Sequence, residues 1–360
     1  RITPGCLGLW NQAQADALAR IAAAIAETGA VPGIQIGHAG RKASANLPWE
    51  GDDHIAEDDA RGWPTLAPSA IAFGGGLSKL PQEMTIDDIK RVQADFVAAA
   101  ERARDAGFKW LELHFAHGYL AQSFFSAHSN QRDDTYGGSF DNRARFLLEA
   151  VRAVRKAVGA NFPVAVKLNS DDFRKGGFSH EDCLQVVKWL NDEQVDLLEI
   201  SGGTYEQPRL LGHTGAADSV KDEQPAQRES TKKREAYFLN YARAIREVAT
   251  MPLMVTGGFR SRDAMQEALN EGVCDVIGLG RPLCTHPDTP KQLMNGKIDK
   301  AASFERTLKL ADKGIFSPVS PILPLKLINV LGAQAWYYQQ IFRLADGLEA
   351  KPSMSLIGSF

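Results

Sequence analysis

Short apolar runs, many of them β-branched, alternate along the chain with longer stretches whose apolar residues recur every three or four positions. That is the pattern of a parallel sheet covered by helices. Six runs predict buried strands: Val31–Gly37, Phe108–His114, Pro163–Asn169, Val195–Ser201, Pro252–Gly257 and Cys274–Gly280. Amphipathic stretches predict helices over Asn11–Glu27, Thr85–Asp105, Phe140–Val158, His180–Asp192, Glu235–Val248 and Ser261–Asn270. Asp87 and Asp88 stand in a first helical turn, where negative charge meets unsatisfied N–H groups. Gly107 and Gly159 stand where two helices should end.

The connections are uneven. Those from helix to strand are short, whereas Ala39–Met84, Phe115–Ser139 and Gly202–Arg234 are long and all leave strands. Chemistry is therefore expected at the carboxyl ends of the strands, as in (β/α) barrels. After Pro282 the alternation gives way to helical stretches, Phe304–Ala311, Leu325–Leu331 and Gln334–Leu344, punctuated by Pro318, Pro321 and Pro324. The expectation is an α/β fold of the TIM (β/α)8 type with six of eight β/α units visible. The barrel occupies residues 1–300, and residues 301–360 form a helical C-terminal extension packed on it. The helix at Asn11–Glu27 precedes the first visible strand, so it would be the second helix of a barrel whose first two strands and first helix are absent from the chain.

Composition narrows the class. The 360 residues carry 41 Lys+Arg and 44 Asp+Glu, a formal net charge of −3, which argues against a nucleic-acid-coating protein. No apolar run approaches the length of a membrane span. The four cysteines, Cys6, Cys183, Cys274 and Cys284, show neither a disulfide framework nor a CxxC pair, so a cytoplasmic setting is expected.

The densest polar cluster is at one strand end. His114, His117 and Tyr119 bring two imidazoles and a phenol together there. Two imidazoles can hold one oxygen of a carbonyl or nitro group, and a phenol can supply a proton. A His-x-x-His zinc site competes, but no third ligand is evident nearby, and no metal is expected. At the last two strand ends, Thr256-Gly257-Gly258-Phe259-Arg260 and Gly278-Leu279-Gly280-Arg281 combine glycines with an arginine, a pattern that lets backbone N–H groups and a guanidinium approach a phosphate. Gln35 and Lys167 interrupt otherwise apolar strands. A buried lysine requires an anionic or electron-rich partner, either a bound group or a neighbouring carboxylate such as Glu112 or Glu199.

On these residues the sequence resembles the old yellow enzyme family of FMN-dependent ene-reductases. The segments that carry the resemblance are Ile34–Lys42 (IQIGHAGRK), His114–Ser126 (HFAHGYLAQSFFS), Ser129–Phe146 (SNQRDDTYGGSFDNRARF), Thr256–Ser261 (TGGFRS) and Gly278–Leu283 (GLGRPL). The resemblance implies that Gln35 contacts the flavin pyrimidine ring and that Gly257, Gly258, Gly280 and Arg281 bind its phosphate. It implies that His114 and His117 hold the activating group of an alkene and that Tyr119 protonates the α carbon. NADH or NADPH would reduce FMN, whose N5 then passes hydride to the β carbon of an α,β-unsaturated carbonyl or nitro compound. Lys167 stands where most members carry Arg, keeping the charge near flavin N1 without the bidentate fork. No cysteine cluster follows Cys284, which argues against the branch with an iron–sulfur domain. The flavin contacts of the family's first two strands have no counterpart in the chain.

Two other functional classes fit the residues: a non-redox barrel enzyme acting on a phosphorylated substrate, and a non-catalytic barrel fragment with open strand edges. The partner expected is a small activated alkene, with neither nucleic acid nor membrane. The aromatic stretch holding Trp336, Tyr337, Tyr338 and Phe342 is expected to cover the barrel or to form a homo-oligomer contact.

Overall fold

The computed structural model describes residues 1–47, 50–51, 53–172, 174–201 and 239–359. Its elements run α1 (Gln12–Glu27), β1 (Gly33–Ile36), β2 (Leu66–Ala67), β3 (Gln82–Glu83), α2 (Ile86–Asp105), β4 (Trp110–Phe115), α3 (Leu120–Phe125), α4 (Phe140–Val158) and β5 (Val164–Asn169). They continue with α5 (His180–Asp192), β6 (Leu197–Ser201), α6 (Leu239–Arg246), β7 (Leu253–Thr256), α7 (Arg262–Asn270), β8 (Val276–Gly278), α8 (Thr289–Met294) and α9 (Leu323–Ala345). Each of the six apolar runs holds a strand, with β4 extending one residue beyond its run to Phe115. Pro32, Pro163 and Pro252 and the terminal Gly37, Gly257 and Gly280 lie outside the strands.

Local chemistry fixes the helix starts. Asn11 with Gln14, Thr85 with Asp88 and Ser179 with Asp182 each form a capping box, in which side chain and backbone reciprocally satisfy end N–H groups. Each such cap contributes about 1 kcal/mol. Gly107 and Gly159 take φ of 92° and 84° just past α2 and α4, as the end signals required.

The described residues form two compact units, 1–201 with 239–255 and 273–276, and 256–272 with 277–359. In the first, β1, β4, β5, β6 and β7 pair in parallel in that order. Beyond β7 the chain is tied at Asp275, whose N–H reaches the Leu253 carbonyl at 2.8 Å. Leu111, Leu113 and Phe115 alternate to one face of β4 and are fully buried. Phe96 of α2 meets Phe115 edge-on at 5.6 Å, and Phe124 stacks on Phe146 of α4 at 4.6 Å. Fully burying each of these side chains contributes roughly 1.5–3 kcal/mol. Glu112 and His114 are left on the opposite face, so the sheet positions the polar residues by anchoring their apolar neighbours.

The second unit corrects two expectations. The C-terminal helices expected at Leu325–Leu331 and Gln334–Leu344 are one continuous helix, α9. Pro324 falls in its first turn, where no N–H is needed, and Gly332 is carried within it. The helix expected over Phe304–Ala311 is only a 3₁₀ turn, Phe304–Arg306. There Phe304 turns inward against Trp336 at 5.1 Å instead of propagating a helix. Of the helix expected over Glu235–Val248, residues 235–238 lie outside the described residues, as does the whole of the long connection Gly202–Arg234. The other two long connections contain the additional elements β2, β3 and α3. Among the described residues no helix is long and apolar enough to cross a membrane.

Candidate active site

The first unit gathers the predicted ring cluster. The His114 ring lies 4.9 Å from the His117 ring and 4.9 Å from the Tyr119 ring, nearly perpendicular to both. The chain achieves this through a sharp turn after β4, with φ of 60° at His117 and 73° at Gly118. A non-glycine residue in this region costs of order 1 kcal/mol or more and needs support. The support is specific. The His117 N–H donates to Asn169 Oδ1 at 3.1 Å, and its carbonyl accepts from Lys42 Nζ at 2.9 Å. Asn169 is itself fixed by donating to Asp172 Oδ1 at 2.8 Å, while Gln122 donates to Asp172 Oδ2 at 2.6 Å. Burial pushes the Asp172 carboxyl up to about 6, against the pull of these donors.

Both imidazoles are held neutral. Burial, reinforced by the nearby Lys167 charge, pushes His114 down to about 3. Burial also drives His117 well below its ordinary value, with His114 and Lys167 adding to it. His114 Nδ1 accepts the Ala116 N–H at 3.3 Å, which assigns the ring proton to Nε2 and makes that nitrogen a donor. His117 Nε2 is bonded to Ser201 Oγ at 2.7 Å. Lys42, 3% exposed, also places its ammonium 4.3 Å from the centre of the Tyr119 ring.

One layer deeper on the same face, the register sets Gln35 of β1 opposite Glu112 of β4, and Lys167 of β5 between His114 and Glu199 of β6. Gln35 Nε2 donates to Glu112 Oε2. Lys167 Nζ lies 2.6 Å from Glu199 Oε1. The carboxylate partner considered for Lys167 is therefore present within the sheet, and Gln35 and Lys167 belong to one four-residue cluster. Among the described residues no three His, Cys, Asp or Glu side chains gather as a metal site.

The second unit holds the glycine loops. Gly257 and Gly258 take φ of 123° and 81°, a backbone that side chains rarely adopt. A Cβ on Gly278 would lie 1.8 Å from Thr256 Oγ1, so glycine is required for these two strand ends to approach. Gly280 opens into unfilled space and leads into the 3₁₀ turn Arg281–Cys284. Arg260 is buried, donating to the Phe259 carbonyl at 2.6 Å and to Glu305 at 2.8 Å, and Tyr337 of α9 donates to the other Glu305 oxygen at 2.8 Å. Lys42, Asn169, Asp172, Ser201 and Glu305 join these networks without being among the residues expected at the site. Lys42 and Asn169 carried the clearest signal, as polar residues beside strand ends.

Residues 1–300 match the model of the NADH:flavin oxidoreductase / NADH oxidase family. The chain belongs to that family. The NADH-dependent flavin oxidoreductase iccE of Talaromyces variabilis is 34% identical over 322 residues, covering 87% of this chain and 74% of its own. Among solved structures, a 2-naphthoyl-CoA reductase complex superposes with a TM-score of 0.69 at 27% identity over 84% of this chain, which spans 44% of that one. The old yellow enzyme homologue from Zymomonas mobilis gives 0.61 at 25% identity, covering 83% and 76% of the two chains. This NADH:flavin oxidoreductase family member thus has an old yellow enzyme homologue among its structural relatives and is a flavin-dependent oxidoreductase using FMN and a reduced nicotinamide. Within the first unit Gln35 and Lys167 offer an amide and an ammonium of the kind a flavin pyrimidine edge takes. Within the second unit the left-handed Gly257-Gly258 pair, Gly280 and Arg281 offer backbone and guanidinium donors of the kind a phosphate takes.

Proposed function

We propose that the chain reduces activated alkenes, with His114 and His117 holding the carbonyl or nitro oxygen and Tyr119 protonating the α carbon. The observation that carries this reading is the packing of two neutral imidazoles and a phenol around one strand end. Neutral imidazoles donate one N–H each without adding fixed charge. His114 Nε2 is such a donor, and in His117 the nitrogen not engaged by Ser201 is Nδ1. Donors fixed before the reaction stabilise the enolate or nitronate oxygen as its charge develops. Asn169, Asp172 and Lys42 hold the turn that aims His117. In the cofactor site, Gly257, Gly258, Gly280 and Arg281 would hold the FMN phosphate, and Gln35 and Lys167 its pyrimidine edge. When bound there and reduced by NADH or NADPH, FMN would supply the hydride for this reduction.

Tyr119→Phe tests the division of labour. The variant is expected to slow alkene reduction by about a hundredfold, leaving reduction of the flavin by NAD(P)H unchanged. Stopped-flow measurement of the two half-reactions separates these outcomes. An equal loss in both, or in neither, would remove the phenol from the proton-donor role.

A further inference from the structure

We propose that Glu305 is a positioning residue for the phosphate loop, coupling the backbone that follows the Gly257-Gly258 pair to the C-terminal helix α9. Every residue involved lies in the second unit. The inference rests on the proposed function, in which this loop and Arg281 hold the FMN phosphate.

The loop needs such a support. Gly257 and Gly258 take φ of 123° and 81°, and glycine loses more conformational freedom on folding than any other residue. Backbone N–H groups there keep a direction suited to an anion only if the flanking chain is held beforehand. Before the pair, Thr256 is held against Gly278, where a Cβ would have no room. After the pair, Phe259 is fully buried and its carbonyl accepts from the Arg260 guanidinium at 2.6 Å. The Arg260 carbonyl accepts from the Ala301 N–H at 2.8 Å. Glu305 engages the same guanidinium, its Oε1 accepting from Arg260 Nη2 at 2.8 Å, in a pair whose arginine side chain is 7% exposed.

Glu305 is held in turn from α9. Its Oε2 accepts from the Tyr337 hydroxyl at 2.8 Å. Its 3₁₀ turn, Phe304–Arg306, packs through Phe304 on Trp336, a fully buried ring whose Nε1–H donates to the Met354 carbonyl at 2.9 Å. Each carboxylate oxygen therefore receives a donor, one from the loop and one from the helix. A side-chain amide in its place would accept at one position only. Burial first, then the charge and hydrogen bonding of Glu305, push the Tyr337 phenol up, against the influence of Arg281 and Arg260, so it stays a protonated donor. Because both arginines act on this one phenol, the Glu305–Tyr337 pair lies beside both segments assigned to the phosphate.

Affinities of the flavin-free full chain for FMN and for riboflavin, which lacks the phosphate, test the role. Both are read from quenching of flavin fluorescence. Misplacement of the phosphate loop weakens FMN alone, whereas general loss of structure weakens both. Glu305→Gln is expected to weaken FMN about tenfold and to change riboflavin by less than about twofold. Tyr337→Phe, which alters no charge, is expected to weaken FMN about threefold with the same selectivity. The sign is diagnostic, since charge counting alone predicts that removing an anion near the site tightens phosphate binding. In either variant, a preference for FMN over riboflavin that is unchanged or increased would overturn the proposal, and Tyr337→Phe decides if Glu305→Gln does not fold. Arg281→Ala separates the two levels of the argument. If it lowers the preference while the other two variants do not, the positioning role fails alone; if none of the three lowers it, the phosphate assignment fails as well.

Discussion

Replacing both His114 and His117 with alanine is expected to lower enone turnover by about a thousandfold while the flavin stays bound. The two rings form one unit, 4.9 Å apart and nearly perpendicular, and removing a single oxyanion donor commonly costs 10²–10³ in rate. Because they act on the same oxygen, the double variant should fall well short of the product of the single effects. Phenol binding, which samples the same donors, should weaken in parallel. The imidazoles are neutral throughout the working range, since burial holds His114 at about 3 and His117 well below its ordinary value. Turnover should therefore show no limb near the usual histidine pKa. Steady-state rates across pH on both proteins check each part, and wild-type turnover in the double variant would remove the pair from the mechanism.

Arg281→Ala is expected to weaken FMN retention by roughly ten- to a hundredfold, the range for losing one charge-assisted contact to a phosphate. Arg281 begins the 3₁₀ turn that follows Gly280, so its position is set by the strand end rather than by a long flexible loop. It is also close enough to act electrostatically on the Tyr337 phenol of α9, within the same unit. The defect should therefore appear in FMN titration and in flavin lost on gel filtration. Enone reduction by the flavin-saturated variant should change little. Normal FMN affinity would contradict the phosphate assignment.

Much of this was legible from spacing. Six of the eight strands fall on the predicted apolar runs, β4 reaching one residue further to Phe115, because burial of the central strands β4, β5 and β6 leaves a nearly continuous apolar signature, whereas the two-residue β2 and β3 lie in a connection with no such signature. The His114, His117 and Tyr119 cluster was legible because all three residues lie within one short segment. The carboxylate network was only half legible. Glu112 and Glu199 were evident as candidate partners of Lys167, but the choice between them depends on the cross-strand registers Gln35–Glu112 and Lys167–Glu199, which local sequence does not encode. Asn169 and Asp172 were missed for the same reason. Their work is done on a backbone N–H 52 residues away from Asn169. The C-terminal helix was divided wrongly because Gly332 weakens the helical pattern and Pro324 resembles a break when its place in the first turn is unknown.

The most direct test is anaerobic spectroscopy of the purified protein supplied with FMN. The account predicts a flavin absorbance that NADH or NADPH bleaches and that an added enone restores, with the saturated product accumulating in step. A protein that takes up no FMN, or whose bleached flavin an enone leaves unchanged, would contradict it.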